Sequence, residues 1–123
     1  MKHKELTSKI IECAYKVHKE LGFGFLESVY QNALLVELEN SGLRAETEHR
    51  IQVSYAGKVV GDFSADLLVE DQVLLELKSA RSINPSHEAQ LVNYLKATGI
   101  EVGLLINFGD KVEIKRKVFD HDR

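Results

Sequence analysis

From Glu5 to Leu21 the apolar residues Leu6, Ile10, Cys13, Ala14, Val17 and Leu21 recur at spacings of three and four, with Lys9, Lys16, Lys19 and Glu20 between them. That period predicts an amphipathic helix with one buried stripe, stopped by Gly22 and Gly24. A second helix is predicted from Phe25 to Ser41, with Leu26, Val29, Tyr30, Ala33, Leu34 and Leu38 turned inward and Gly42 as its left-handed stop. Beyond Gly42 the period becomes two. Ile51, Val53 and Tyr55 alternate with Gln52 and Ser54, and Ala56-Gly57 turns the chain into Lys58–Phe63, the pattern of half-buried antiparallel strands. Ala65–Val69 and Val73–Leu77 are nearly continuous apolar runs around Glu70-Asp71-Gln72, as expected of strands covered on both faces. Asn84-Pro85-Ser86 opens a third helix, with Ser86 as its cap, Leu91, Tyr94 and Leu95 as its stripe, and an end at Thr98 before Gly99. Val102–Phe108 and Val112–Val118 complete the strands. The order is α-α-β-β-β-β-α-β-β. It predicts an α/β fold with a mixed central sheet, the two amino-terminal helices on one face and the Ser86–Thr98 helix on the other.

With 123 residues, no internal repeat and no Pro/Ser/Gly-rich linker, a single domain over residues 1–123 is expected. The 8 Gly and one Pro exclude fibrous and low-complexity classes. Cys13 is the lone cysteine, which rules out an intrachain disulfide and a cysteine-rich zinc module, and points to a reducing, cytoplasmic setting. No stretch approaches the roughly 18 uncharged residues of a membrane span. A formal net charge of -3 speaks against nucleic-acid binding by charge alone, so contact with phosphate must come from a local patch or a bound metal.

Asp66, Glu76 and Lys78 interrupt the otherwise apolar central strands. Charges there need a partner, and two neighbouring carboxylates repel unless a cation sits between them. Hard oxygen ligands of this kind suit Mg²⁺ or Mn²⁺. Spacing alone proves little, because an acid followed two places later by Lys is expected roughly twice by chance in such a chain. It occurs as Glu76-Leu77-Lys78 and as Glu113-Ile114-Lys115, the latter in a charged terminal strand and read as a solvated face. An internal ion pair, Lys78 neutralising one acid, is the competing explanation of the first. Glu27 and Tyr30 in the second helix, and Gln90 and Tyr94 one turn apart in the third, are further candidates. For the two acids to share a sheet face, the hairpin between them needs an odd loop such as residues 70–72; a clean two-residue turn would place Asp66 opposite Leu77.

Gly24-Phe-Leu-Glu27-Ser-Val-Tyr30, Ala65-Asp66-Leu-Leu-Val-Glu-Asp71, Leu75-Glu76-Leu-Lys78, His87-Glu-Ala-Gln90-Leu-Val-Asn-Tyr94-Leu and Gly103-Leu-Leu-Ile-Asn-Phe108 together resemble the GxxExxY family of small bacterial and archaeal proteins. The resemblance runs from Leu6 to Phe108. That family belongs to the PD-(D/E)xK superfamily, so the resemblance implies a restriction-endonuclease-like core. It makes Asp66 and Glu76 metal-binding carboxylates, Lys78 the catalytic lysine, and Glu27 the helical acid completing the shell, with the Leu77 carbonyl as a further ligand. Gln90 and Tyr94 match the QxxxY element of RecB-like nucleases and lambda exonuclease. Two positions depart from the pattern: Ala65 stands where the superfamily is named for Pro, and Glu27 stands where the RecB-like branch has His. A helical Glu is what archaeal Holliday-junction resolvases use.

The expected function is metal-dependent hydrolysis of phosphodiester bonds in nucleic acid, DNA favoured over RNA, with Mg²⁺ or Mn²⁺ as cofactor. Tyr94, Tyr30 and Arg81 are the expected substrate contacts, and Lys58 and Lys115-Arg116-Lys117 supply further positive charge. Cutting both strands of a duplex would take a homodimer. The alternative is a non-catalytic nucleic-acid- or protein-binding module on the same fold. The five His residues show no ligand spacing, Cys13 lies on the helix core, and Gly22-Phe23-Gly24 lacks the Lys-Ser/Thr of a phosphate loop.

Overall fold

The computed structural model describes residues 2–121. Its elements are α1 (Lys4–Leu21), α2 (Glu27–Asn40), β1 (Ala45–Tyr55), β2 (Lys58–Val69), β3 (Val73–Lys78), α3 (Pro85–Thr98), β4 (Val102–Phe108) and β5 (Val112–Val118). The strands form one sheet in the order β1-β2-β3-β4-β5. All neighbours run antiparallel except β3 and β4, whose parallel pairing requires the crossover that α3 provides.

Two apolar layers fix this arrangement. On one face Ile10, Cys13, Ala14 and Val17 of α1 and Tyr30, Leu34 and Leu38 of α2 pack on Leu67, Leu75, Leu104 and Ile106. On the other, Leu91, Tyr94 and Leu95 of α3 pack on Ile51, Ala65, Leu68, Leu74 and Leu105. Strands β3 and β4 are thus covered twice, the physical reason for their unbroken apolar runs. Gly103 brings α3 close to the sheet, because a Cβ there would lie 2.8 Å from Leu91 Cδ1. Among the described residues no helix is long and apolar enough to cross a membrane.

In its strands and helix ends the structure departs from the sequence expectation in several places. Lys58–Phe63 and Ala65–Val69 are one strand, β2, so the sheet has five strands and not six. The change from alternating to continuous apolar sequence marks where β2 leaves a two-stranded ribbon with β1 and enters the covered sheet, pairing with β3 at Leu67, Leu68 and Val69. Leu26, expected inward, is 77% exposed, because α2 begins at Glu27, two residues later than expected, and leaves Leu26 outside the helix. The α3 cap is Asn84 and not Ser86. Pro85 has no N–H to lose and takes the first helical position, so the cap falls on the residue before it; Asn84 Oδ1 accepts the Ser86 N–H (2.8 Å).

Candidate active site

Residues 70–72 form the loop between β2 and β3, and the pairs Val69–Val73, Leu68–Leu74 and Leu67–Leu75 follow in register. Glu70 and Asp71 both take positive φ (52° and 56°), and the Gln72 N–H closes the turn onto Val69 O (2.9 Å). One step beyond the last pair, Asp66 lies across from Glu76, and there the backbone ladder gives way to side chains. The Asp66 N–H donates to Glu76 Oε1 (3.0 Å), and the Leu77 N–H donates to Asp66 Oδ2 (2.7 Å). The two acids thus share the sheet face that α3 covers, two places from Leu68 and Leu74. Each commits one oxygen to a backbone donor and leaves Asp66 Oδ1 and Glu76 Oε2 without a hydrogen bond among the described residues.

Glu76 is 6% exposed, and burial, followed by the charge of Asp66, pushes its carboxyl up to about 8. Burial also raises Asp66; Glu48 and Glu27 add to the rise, while the Leu77 N–H and Lys78 oppose it. Among the described residues Lys78 makes no contact ion pair with either acid. The carboxylates therefore face each other with too little positive charge to hold both ionised.

Lys78 ends β3, in register with Asn107 of β4. The Asn107 side chain is fully buried and clamps the following loop, its Oδ1 accepting the Ala80 N–H and its Nδ2 donating to Ala80 O, both at 2.9 Å. Its Nδ2 also reaches Glu113 Oε1 (3.1 Å), so Glu113, expected on a solvated face, is half-buried and braces the clamp. Asn107→Ala would strand both Ala80 groups. We expect it to cost about 1–3 kcal/mol in denaturant unfolding and to loosen Lys78.

Ser79 Oγ donates to Phe25 O (2.8 Å), tying the segment before α2 to the end of β3. Glu27, the first residue of α2, lies near enough for its charge to act on Asp66. Among the described residues, however, no three acidic, histidine or cysteine side chains converge on one point, so Glu27 stands outside the Asp66–Glu76 pair. On α3, Gln90 Nε2 donates to Tyr94 Oη (2.8 Å). Tyr94 is buried, and its hydroxyl pKa is raised by burial and then by the charge of Glu76, so the hydroxyl lies within electrostatic reach of the acids. Arg81 lies exposed in the loop after β3. Lys117 is paired with Glu88 (2.7 Å), and Lys58 lies at the far end of the ribbon, opposite Tyr55.

Tyr30 does not belong to this site. It is fully buried on the opposite sheet face, stacked on Phe108 with ring centroids 4.6 Å apart, and its hydroxyl donates to Gly22 O (2.5 Å). Its hydroxyl, bonded to Gly22 O and to the Phe25 N–H, ties down the turn that leads into Glu27. Tyr30→Phe should cost about 1 kcal/mol of stability, measured by urea unfolding.

Glu48 was not singled out by sequence. It sits mid-strand in β1 with φ 51°, a left-handed conformation rare outside glycine, at the step where the β1–β2 pairing passes from Thr47–Leu67 to His49–Ala65. Its carboxylate is held by Gln31 Nε2 (3.1 Å) and Ser64 Oγ (3.0 Å), and its charge reaches both Asp66 and Glu76. In sequence it is one of several polar residues ahead of the strand expected from Ile51, and nothing in its spacing announces the backbone turn.

The model of the PD-(D/E)XK nuclease superfamily matches residues 4–117. No curated protein matches the chain. Among solved structures, that of SSO0001 is similar with a TM-score of 0.61 and 24% identity, over 77% of this chain and 52% of the other. This chain thus spans about half the length of SSO0001. The alkaline exonuclease LHK-Exo from Laribacter hongkongensis is similar with a TM-score of 0.56 and 14% identity, over 99% of this chain and 73% of the other. Both likenesses concern the fold: three helices around a five-stranded mixed sheet.

Proposed function

The chain belongs to the PD-(D/E)XK nuclease superfamily, and from that premise we propose that it hydrolyses phosphodiester bonds of nucleic acid, DNA in the first instance, with a divalent cation. The observation that carries this reading is the pair Asp66–Glu76: two carboxylates face to face, each with an oxygen uncommitted, both pushed toward protonation and, among the described residues, neither ion-paired with a lysine or arginine. This is a hard-oxygen donor set short of positive charge, and it fits Mg²⁺ or Mn²⁺. Asp66, Glu76 and the Leu77 carbonyl would hold the ion, with Glu27 reaching it through water. Bound there, it would supply Lewis acidity at a phosphate oxygen and a more acidic water.

The remaining work falls to the chain's own side chains. Lys78, held by the Asn107 clamp, offers its ammonium to the charge that develops on the phosphate, in a site that α3 shields from bulk water. Gln90 is oriented by Tyr94 and positions the nucleophile or a phosphate oxygen, while Tyr94 itself contacts the substrate. Arg81, on the exposed loop, contacts the backbone of the nucleic acid. Within the superfamily we assign the chain to the GxxExxY group on Gly24, Glu27 and Tyr30. The single buried thiol, Cys13, suits a cytoplasmic setting. One protomer carries one acid pair, so double-strand cutting is assigned to a homodimer, which sedimentation equilibrium tests.

The test is cleavage by purified protein of single-stranded, duplex and branched DNA and of RNA, with Mg²⁺ or Mn²⁺ and with EDTA. We expect cutting of at least one substrate that stops when the cation is chelated. No cutting of any of them would leave the non-catalytic binding module as the better description.

A further inference from the structure

A cleft of about 1060 Å³ opens between α3 and the β1–β2 ribbon. We propose that it seats an unpaired nucleobase, stacked on Phe63, from the strand whose phosphate lies at Asp66 and Glu76. The proposal rests on the nuclease reading and names its substrate class: nucleic acid with at least one unpaired nucleotide beside the scissile bond.

The size is that of a small-molecule site. Phe63 is 46% exposed although it is aromatic and lies on the side of the ribbon facing α3, where its ring meets Tyr94 at 5.8 Å and 40°. Its place is made by Gly61, where a Cβ would lie 2.7 Å from Phe63 Cε2. The ring is thus held from below and beside and left open to the cleft. Asn93 of α3 lines the same space and carries both an amide donor and an acceptor for the edge of a base. None of the lining residues is acidic, and Lys96 supplies a cation. In a chain with a net charge of -3 this is the surface that an anionic polymer would tolerate beside an acid pair.

Continuity with the acids comes from two elements. Phe63 precedes Asp66 by three residues on β2, about 10 Å of chain and the reach of a neighbouring nucleotide; because Ala65 and Leu68 both pack under α3, the side-chain alternation slips between them and lets Phe63 and Asp66 share that face. Tyr94 closes the other side: it lines the cleft, packs in the same α3-face cluster as Leu68 and Leu74, two places from Asp66 and Glu76, and its hydroxyl receives the hydrogen bond of Gln90. A base in a duplex keeps its faces stacked on its neighbours, so only an unpaired base can lay a face on Phe63.

The chain contains no Trp, so Phe63→Trp installs a single fluorescent reporter in the cleft. In EDTA, where binding is read without cleavage and independently of it, a single-stranded oligodeoxynucleotide should quench this emission. A blunt duplex of equal length, or an oligonucleotide with a run of abasic sites, should not. Phe63→Leu, which keeps apolar volume and loses the ring, should weaken binding of the single strand about tenfold by fluorescence anisotropy. Unquenched emission from the Phe63→Trp variant with the strand bound, equal affinity of wild type and Phe63→Leu, or no single-strand binding at all would each overturn the base seat.

Discussion

Asp66→Asn, Glu76→Gln and Lys78→Ala are each expected to lower kcat by at least about 100-fold, the scale on which removing one preorganised electrostatic group slows a reaction. The amide variants are the sharp ones because they change charge and little else. Asparagine at 66 still offers an oxygen to the Leu77 N–H, and glutamine at 76 still offers one to the Asp66 N–H, so the junction of β2 and β3 survives. KM for an oligonucleotide should change little or fall, since each substitution removes negative charge that faces a polyanion. Lys115→Ala is the matched control: it removes the lysine of the second acid-x-lysine pair, which lies exposed on β5, and should leave kcat within a factor of about two. Activity should also rise from pH 6 toward pH 8 at limiting cation, because the carboxyl of Glu76, held near 8 without metal, must lose its proton to act as a ligand. Saturating cation should move that rise to lower pH. Single-turnover rates across pH at two Mn²⁺ concentrations check the shift, and undiminished cleavage by Asp66→Asn would mean that another protein is cutting.

Much of this site could be read from residue order, and the parts that could not share a cause. The hairpin was legible because side-chain alternation is strict: a three-residue loop 70–72 puts Asp66 across from Glu76, and the register of Leu67, Leu68 and Val69 delivers that arrangement. The helices were legible because their apolar stripes recur with helical spacing and end at glycines with positive φ, Gly22, Gly42 and Gly99. Tyr30 was misplaced because motif spacing gives a residue's element and not the direction of its ring. Whether a tyrosine at helical spacing faces a cleft or stacks on Phe108 depends on a β4 residue almost eighty positions away. Glu48 was missed for a related reason, its backbone turn lying at the gap in the β1–β2 pairing between Thr47–Leu67 and His49–Ala65, which local spacing does not announce. The joining of Lys58–Phe63 to Ala65–Val69 shows the same limit. Periodicity reports what covers a strand, and a change of cover looks like a break.

Without divalent cation the protein is expected to lose stability as pH rises from 5 to 8, and Mn²⁺ to restore it. The sign follows from Glu76. Its folded carboxyl titrates near 8, above an unfolded value near 4.5, so the native state holds a proton that the unfolded chain has released. Stability from that group is complete below the unfolded value and is lost as pH climbs through the folded one. Asp66, raised in the same direction, adds to the slope. Glu76→Gln cannot ionise, so its melting temperature should be flatter over this range and higher than wild type at pH 8. A cation bound only by the native state contributes about 2.7 kcal/mol at a hundred times its dissociation constant, on the order of 10 °C in melting temperature for a domain of this size. Glu76→Gln and Asp66→Asn should show little of that response. If Lys78 instead neutralised the acids as an internal ion pair, each difference would reverse: Mn²⁺ would leave the wild type unmoved, and Asp66→Asn would destabilise by leaving a half-buried ammonium unpaired. The structure already weighs against that pairing, with Lys78 out of contact with both carboxylates among the described residues. Melting curves of wild type and the two amide variants at pH 5 and pH 8, with and without Mn²⁺, measure both effects together. A wild type insensitive to Mn²⁺ beside a destabilised Asp66→Asn would remove the cation site from this fold.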